Sequence, residues 1–449
     1  MLYRKHFPHY SLHYFIGCLA VCLLPITHLL AQKPIVPTPG KAQSQTIFLT
    51  GGTAHLGTGQ VIPNSVISFK NGKIETVADM TLVKINMNDA QVIDISGKHV
   101  YPGLIACTTT IGLVEMGSVR ATRDRDEVGD LNPNVRSIVA YNTDSHVTPT
   151  LRSNGILTAQ VVPQSATLSG QSSVVQLDAW NWEDAAYKTD DGMFVNFPSM
   201  LTYSWEEHRI KPNEDYQAQY AGLLRLFEEA KAYCAETQHA TTNLKLKAMC
   251  RLFDGSQTLY VRANYSKDII AAVNFSKKFN LKTVLVGGVD AWQTTDLLKD
   301  NQVPVIIQQT HQLPQREDED VYLPSKLPKM LKDAGVLYAL TVGDNWDGFW
   351  QQRNLPFQAG TAAAFGLSKE EALQAITLNA AKILGIDQTL GSIEAGKDAT
   401  IVVSDGDILD MASNNITHAF VQGRAVDLDN KQKALYRRFM GKYGLTPQE

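Results

Sequence analysis

The spacing of hydrophobic and polar positions changes twice along the chain, and the changes divide it. From about Thr46 to Val100 the runs TIFLTGGTAHLGTG, SVISFKNGKIETVAD and AQVIDISGKHV alternate over short stretches broken by turns, which predicts short strands. Asn71-Gly72 lies between two such runs and predicts a hairpin, since both residues tolerate positive φ. The middle of the chain carries compact apolar runs: VYPGLIACTTTI, GILTAQVV, TLYVRAN, KTVLVGG, VPVIIQQ and VLYALTVG. Helical patterns such as SKDIIAAVNFSKKF, AWQTTDLLKD and SKLPKMLKDAG stand between them. Strands alternating with helices of this length predict parallel βαβ units.

Two helices close that series, LPFQAGTAAAFG and SKEEALQAITLNAAKILG. In the second, Ser368 and Glu371 have capping-box spacing and Gly385 is the stop. Strand patterns then return in IEAGKDATIVVSDG and THAFVQGRAV. The predicted organisation is β material over 46–100 and 391–428, a βα series over 101–390, and a C-terminal helix or tail over 429–449. Residues 181–255 break the rhythm. They are rich in Trp and Tyr and read as a partly helical insertion on the loop face, with the aromatics packing.

Arg4 and Lys5 precede the apolar run Phe15–Ala31, and the Pro-rich stretch 32–45 follows. This is the pattern of a secretory signal peptide cleaved near Ala31, which predicts export to the periplasm or medium. Pro25 and His28 interrupt the run, and it is short of the ~20 residues a membrane span needs, so no stable span is expected. Removing 1–31 moves the net charge from −4 to −6, and neither value favours nucleic acid as a partner. It also removes four of the 11 histidines and leaves Cys107, Cys234 and Cys250. Cys234 and Cys250 could clip a helical hairpin; three cysteines make no disulfide framework, and the pairing stays open.

Local motifs narrow the chemistry further. Gly51, Gly52, Gly57 and Gly59 lack the strand–loop–helix setting of a phosphate loop and read as turns. The loop RATRDRDEVGDLNP places Asp124, Asp126, Glu127 and Asp130 beside Arg120, Arg123 and Arg125, a self-neutralising solvated cluster. Strand alternation turns Cys107 away from Thr108 and Thr110, toward buried packing. No Gly-x-Ser-x-Gly elbow stands out.

The segments GKHVYPGLIACTTT, RNLPFQAGTAAAFGLSKEEALQAITLNAAKILGI and GSIEAGKDATIVVSDGDILD resemble the amidohydrolase superfamily, with an imidazolonepropionase-like flavour. The resemblance covers nearly all of 46–428 and is weakest over 181–255. It implies a (β/α)8 TIM-like barrel with a small β-sandwich built from both chain ends, and hydrolysis of non-peptide C–N bonds. It also implies metal ligands at the C-terminal ends of the strands, where barrel active sites form. Carried over by position, the first-strand His-x-His falls on Thr108 and Thr110, the fifth-strand His on Arg262, and the sixth-strand His on Gly287. The eighth-strand Asp falls on Gly343, with Asp344 next; no fourth-strand Lys or Glu is identified. Threonine is a poor zinc ligand and arginine a permanent cation, so the usual metal ligands read as replaced.

Seven histidines remain after 1–31. His55, His99 and His418 map to the flanking β segments as surface or packing residues, and His208 and His239 to the insertion. His146 and His311 sit in barrel loops, and TVGDNWDGFWQQRN offers Asp344, Asn345, Asp347 and Arg353 at the expected mouth. Thr108, Thr110, Arg262, Gly287, Gly343, Asp344, Asn345 and Asp347 are the expected pocket-lining set. Three readings follow. One is a degenerate amidohydrolase without cofactor, serving as a binding or partner subunit of an active relative or as a homo-oligomer. The second is a working hydrolase whose alternative site uses Asp344, His311, His146 or the carboxylates of 124–130, with zinc or another divalent metal. The third is a small-molecule-binding protein. Fold alone does not decide among them.

Overall fold

The computed structural model describes residues 38–446, apart from 85, 166 and 344–347. The expected signal peptide therefore lies outside the described residues, as do Asp344, Asn345 and Asp347 of the expected mouth.

The first five strands are β1 (Ile47–His55), β2 (Val61–Lys70), β3 (Lys73–Asp79), β4 (Gln91–Asp94) and β5 (His99–Pro102). β2 and β3 pair antiparallel around Asn71 (φ 51°) and Gly72 (φ 78°), the hairpin that their tolerance of positive φ predicts. β5 runs parallel to β1 and antiparallel to β16 (Ile401–Ser404). β16 continues the sheet into β17 (Ile416–Val421) and β18 (Arg424–Ala425). Val100 opposite Val403 is thus where the two ends of the chain meet in one composite sheet. Leu49, Ile67, Phe69, Ile401 and Phe420 fill the core of this sheet.

The second large sheet has eight strands. They are β6 (Leu104–Thr109), β7 (Ile156–Val161), β8 (Leu168–Gln176), β9 (Ala186–Asn196), β12 (Thr258–Ala263), β13 (Thr283–Gly287), β14 (Val305–Gln308) and β15 (Tyr338–Thr341). Seven run parallel; β8 is antiparallel to both β7 and β9. The Thr341 hydroxyl donates to the Cys107 carbonyl at 2.5 Å, which brings β15 against β6 and nearly closes the barrel. The fold is a (β/α)-type barrel with a composite sheet from both chain ends, and one barrel strand is reversed.

Residues 181–255 are more than an insertion. β9 is a barrel strand within them, and Tyr216–Ala235 is the helix between β9 and its parallel neighbour β12. That helix buries Leu223, Phe227 and Ala230, with Phe227 edge-on to Phe275 at 4.9 Å. Only the hairpin β10 (Leu201–Ser204) and β11 (Arg209–Pro212) stands apart as a two-stranded sheet. The β9 pattern was masked because its apolar run, Met193–Val195, is short and follows Asp190 and Asp191. Cys234 and Cys250 are joined in a disulfide that ties the end of this helix to Cys250–Phe253.

The helix expected from Ser368 to Gly385 is two helices, Lys369–Ala375 and Leu378–Leu384. The Ser368–Glu371 capping box and the left-handed Gly385 (φ 65°) are both present. Between them Thr377 breaks the run, its hydroxyl bonding back to the Leu373 carbonyl at 2.7 Å. The break leaves the Ile376 carbonyl to accept from Ile105 N on β6 at 2.9 Å.

Candidate site at the barrel mouth

Alternation along β6 directs Ile105 and Cys107 into the barrel, where they join Phe194, Tyr260, Val284, Ile306 and Ala339. A bulge then interrupts the strand: Ala106 pairs with Ala159, yet Thr109 pairs with Val161. Thr108 sits in this bulge at φ 47°, a conformation that β-branched residues avoid and that costs of order 1–3 kcal/mol. The simple alternation argument about Cys107 and its threonine neighbours therefore fails at this point, although Cys107 is fully buried as expected. Burial pushes its thiol above the usual range, which removes it as a nucleophile. Thr108 and Thr110 are both fully buried, and neither hydroxyl has a hydrogen-bond partner among the described residues.

The other expected ligand positions are shaped by packing and backbone. Arg262, at the end of β12, lies over the Phe194 ring at 4.8 Å and donates to Asn196 Oδ1 at 3.2 Å. Phe194 in turn stacks on Tyr260, centroids 4.6 Å apart and planes 2° from parallel. Asn196 ends β9 opposite Arg262. It ends the fourth barrel strand, and an asparagine there carries no sequence signal of a Lys or Glu. Gly287 has φ 99°, and a Cβ there would approach Asn264 Oδ1 to 2.3 Å. Gly343 has φ 88°. Both positions thus hold conformations that favour glycine over any ligating side chain. The Gly343 carbonyl accepts from Gln352 Nε2 at 2.9 Å.

The expected histidines do not converge. His146 is exposed, its backbone N–H donating to Glu115 at 2.6 Å. His311 is 2.5 Å from the Thr361 hydroxyl, on a loop that buried Gln358 anchors through Thr310 and the His311 N–H. His55 bonds Glu370 and His99 at the composite sheet, and His239 stacks on Tyr233. The carboxylates at 124, 126, 127 and 130 are all exposed, and Asp126 pairs with Arg120 and Arg125. Among the described residues, no three His, Cys, Asp or Glu side chains gather where a metal ion could be held. Among the described residues, the side chains at 108, 110, 196 and 262 are hydroxyls, an amide and a guanidinium, poor ligands for a divalent metal.

Two further features complete the site. The loop after β14 is strapped to the loop after β13 by Arg316, which grips Asp290 with bonds of 2.8 and 3.1 Å. Asp290 also accepts from Ser266 N at 3.1 Å, so the loops after β12, β13 and β14 are joined. Beside this strap Gly287, Gln308, Gln309, Gln312 and Leu327 line a small cleft. Midway along β9, Asp191 is buried inside the barrel and accepts from Ser172 at 2.7 Å, Gln160 at 2.9 Å and Tyr260 at 3.3 Å. Burial raises its pKa, and the three donors oppose that shift only in part.

The loops of this barrel assemble a mouth at the C-terminal ends of its strands, where barrel active sites form. Residues 294–426 match the Amidohydrolase family. The amidohydrolase of Thermotoga maritima superposes with a TM-score of 0.75 at 24% identity, covering 85% of this chain and 99% of that one. Molinate hydrolase superposes at 0.53 with 16% identity, over 87% of this chain and 96% of that one. The imidazolonepropionase of Shewanella frigidimarina is 56% identical over 41 residues, 9% of this chain and 10% of that protein. That of Flavobacterium psychrophilum is 35% identical over 112 residues, 23% of this chain and 26% of that protein. Residues 294–426 are therefore similar to the Amidohydrolase family and the fold to that of the Thermotoga maritima protein, while the sequence matches span about a quarter or less of either imidazolonepropionase.

Proposed function

We propose that this is an exported member of the amidohydrolase superfamily whose barrel binds a small molecule or an active partner subunit without metal-dependent hydrolysis. One observation carries the reading: Arg262, packed on Phe194 and bonded to Asn196, occupies the position where the resemblance expects a ligand imidazole. A fixed cation there opposes a divalent metal electrostatically. The glycine conformations at 287 and 343 and the threonines at 108 and 110 point the same way. Export is supported by the Cys234–Cys250 disulfide, a bond that persists in oxidising compartments.

The named relatives suggest the ancestral reaction, opening of a cyclic amide such as an imidazolone, and this chain keeps the scaffold of that chemistry. The test is elemental analysis of protein purified without chelator or a histidine tag, together with an assay for cyclic-amide hydrolysis. Less than about a tenth of an equivalent of Zn, Fe or Mn, and no turnover, is expected. About one metal per chain, lost together with activity in Asp344→Asn or His311→Ala, overturns the reading in favour of an alternative catalytic site.

A further inference from the structure

The last helix, Lys431–Lys442, buries none of its residues. Its start is anchored: Asn430 caps it by accepting from Lys433 N at 2.9 Å and donates to Ser153 at 3.1 Å. Beyond that cap it runs out along the surface, and twelve residues are marginal as an isolated helix in water.

The sequence of the helix says what kind of surface. At 100° per residue, Leu435, Phe439, Met440 and Tyr443 fall within an arc of about 140°. Leu435, Phe439 and Tyr443 are 40%, 49% and 67% exposed, so this apolar arc is uncovered. Lys431, Arg438 and Lys442 lie along one margin of the arc, and Lys433 and Arg437 along the other. No acidic residue occurs between 431 and 445, in a chain whose net charge is −4. Asp429, just before the helix, pairs with Arg437 at 2.6 Å, and Lys442 lies 5.9 Å from the Phe439 ring and 5.2 Å from the Tyr443 ring.

We propose that this helix docks the protein on an anionic lipid surface, lying in the interface with Leu435, Phe439 and Tyr443 inserted at the acyl boundary. Cations on both margins of an aromatic-rich arc put positive charge at headgroup level on either side of the inserted ring edges. The helix is peripheral, since no helix among the described residues is long and apolar enough to cross a membrane. The inference is independent of what the barrel mouth binds.

The experiment is co-sedimentation of the full chain with vesicles of phosphatidylcholine alone or with about 30% phosphatidylglycerol, at low salt and at about 0.5 M NaCl. Selective partition onto the anionic vesicles, weakened by salt, is expected. Arg438→Gln with Lys442→Gln lowers the partition coefficient about 25-fold, about fivefold for each charge. Leu435→Ser with Phe439→Ser abolishes the selective binding. Thermal unfolding of these variants should match the parent, because the substituted side chains are exposed. Equal partition onto both vesicle types, no partition at low salt, or variants that bind like the parent each overturn the proposal. A solution dimer dissociated by Phe439→Ser, without lipid binding, would assign the face to a second copy of the chain instead.

Discussion

Residue identities at the mouth act through packing and charge as much as through hydrogen bonds. Arg262→Ala removes the cation over Phe194 and the bond to Asn196, and should lower stability by about 1 kcal/mol in urea denaturation. Asp191 makes a sharper test because its folded pKa is raised, chiefly by burial. Above the unfolded value of 3.8 the folded form binds more proton than the unfolded one, so this group's contribution to stability falls as pH rises toward the folded pKa. Asp191→Asn keeps a neutral acceptor for Gln160 and Tyr260 and removes that titration. The stability of Asp191→Asn relative to the parent should therefore improve between pH 4 and pH 8 in urea titrations; a difference independent of pH would refute the raised pKa. The contrast at the positions where the resemblance places imidazoles was legible in the sequence because Thr, Arg and Gly are chemically unlike His. Asn196 was hidden, since an asparagine at a strand end carries no such contrast.

Elements in this chain are set by caps and breaks, and these can be tested one at a time. The Ser368 hydroxyl accepts from Glu371 N while the Glu371 carboxylate accepts from Ser368 N, so Ser368→Ala should cost about 1 kcal/mol. The Cys234–Cys250 bridge spans a sequence separation of 16, so Cys234→Ser with Cys250→Ser should cost about 3 kcal/mol in the chain-entropy account, read as a lower urea midpoint. The hairpin at Asn71-Gly72 and the capping box were readable because each depends on residues within a few positions. The split at Thr377 was not, since the pattern continues through it. What interrupts the helix is a backbone carbonyl needed by β6, more than 250 residues earlier in the chain.

At the scale of the molecule, Asp178 ties distant parts together. Fully buried after β8, it pairs with Arg152 at 3.0 Å and accepts from Gly40 N at 3.0 Å, while its carbonyl accepts from Arg424 at 2.8 Å. Burial raises its pKa, and Arg152 opposes the shift. Asp178→Ala leaves Arg152 buried and uncompensated and should cost about 3–5 kcal/mol, measured by chemical denaturation. The sequence by itself determined the strand and helix alternation, the hairpin at Asn71-Gly72, the capping box at Ser368, and the presence of Thr, Arg and Gly where the family resemblance places imidazoles. Those are written in local periodicity and residue type. Only the tertiary structure decided that β8 runs backwards, that β9 belongs to the barrel, and that Arg262 rests on Phe194 beside Asn196. Each of these depends on pairings between residues far apart in the chain, where closure of the sheet and competition for buried hydrogen bonds outweigh any local preference.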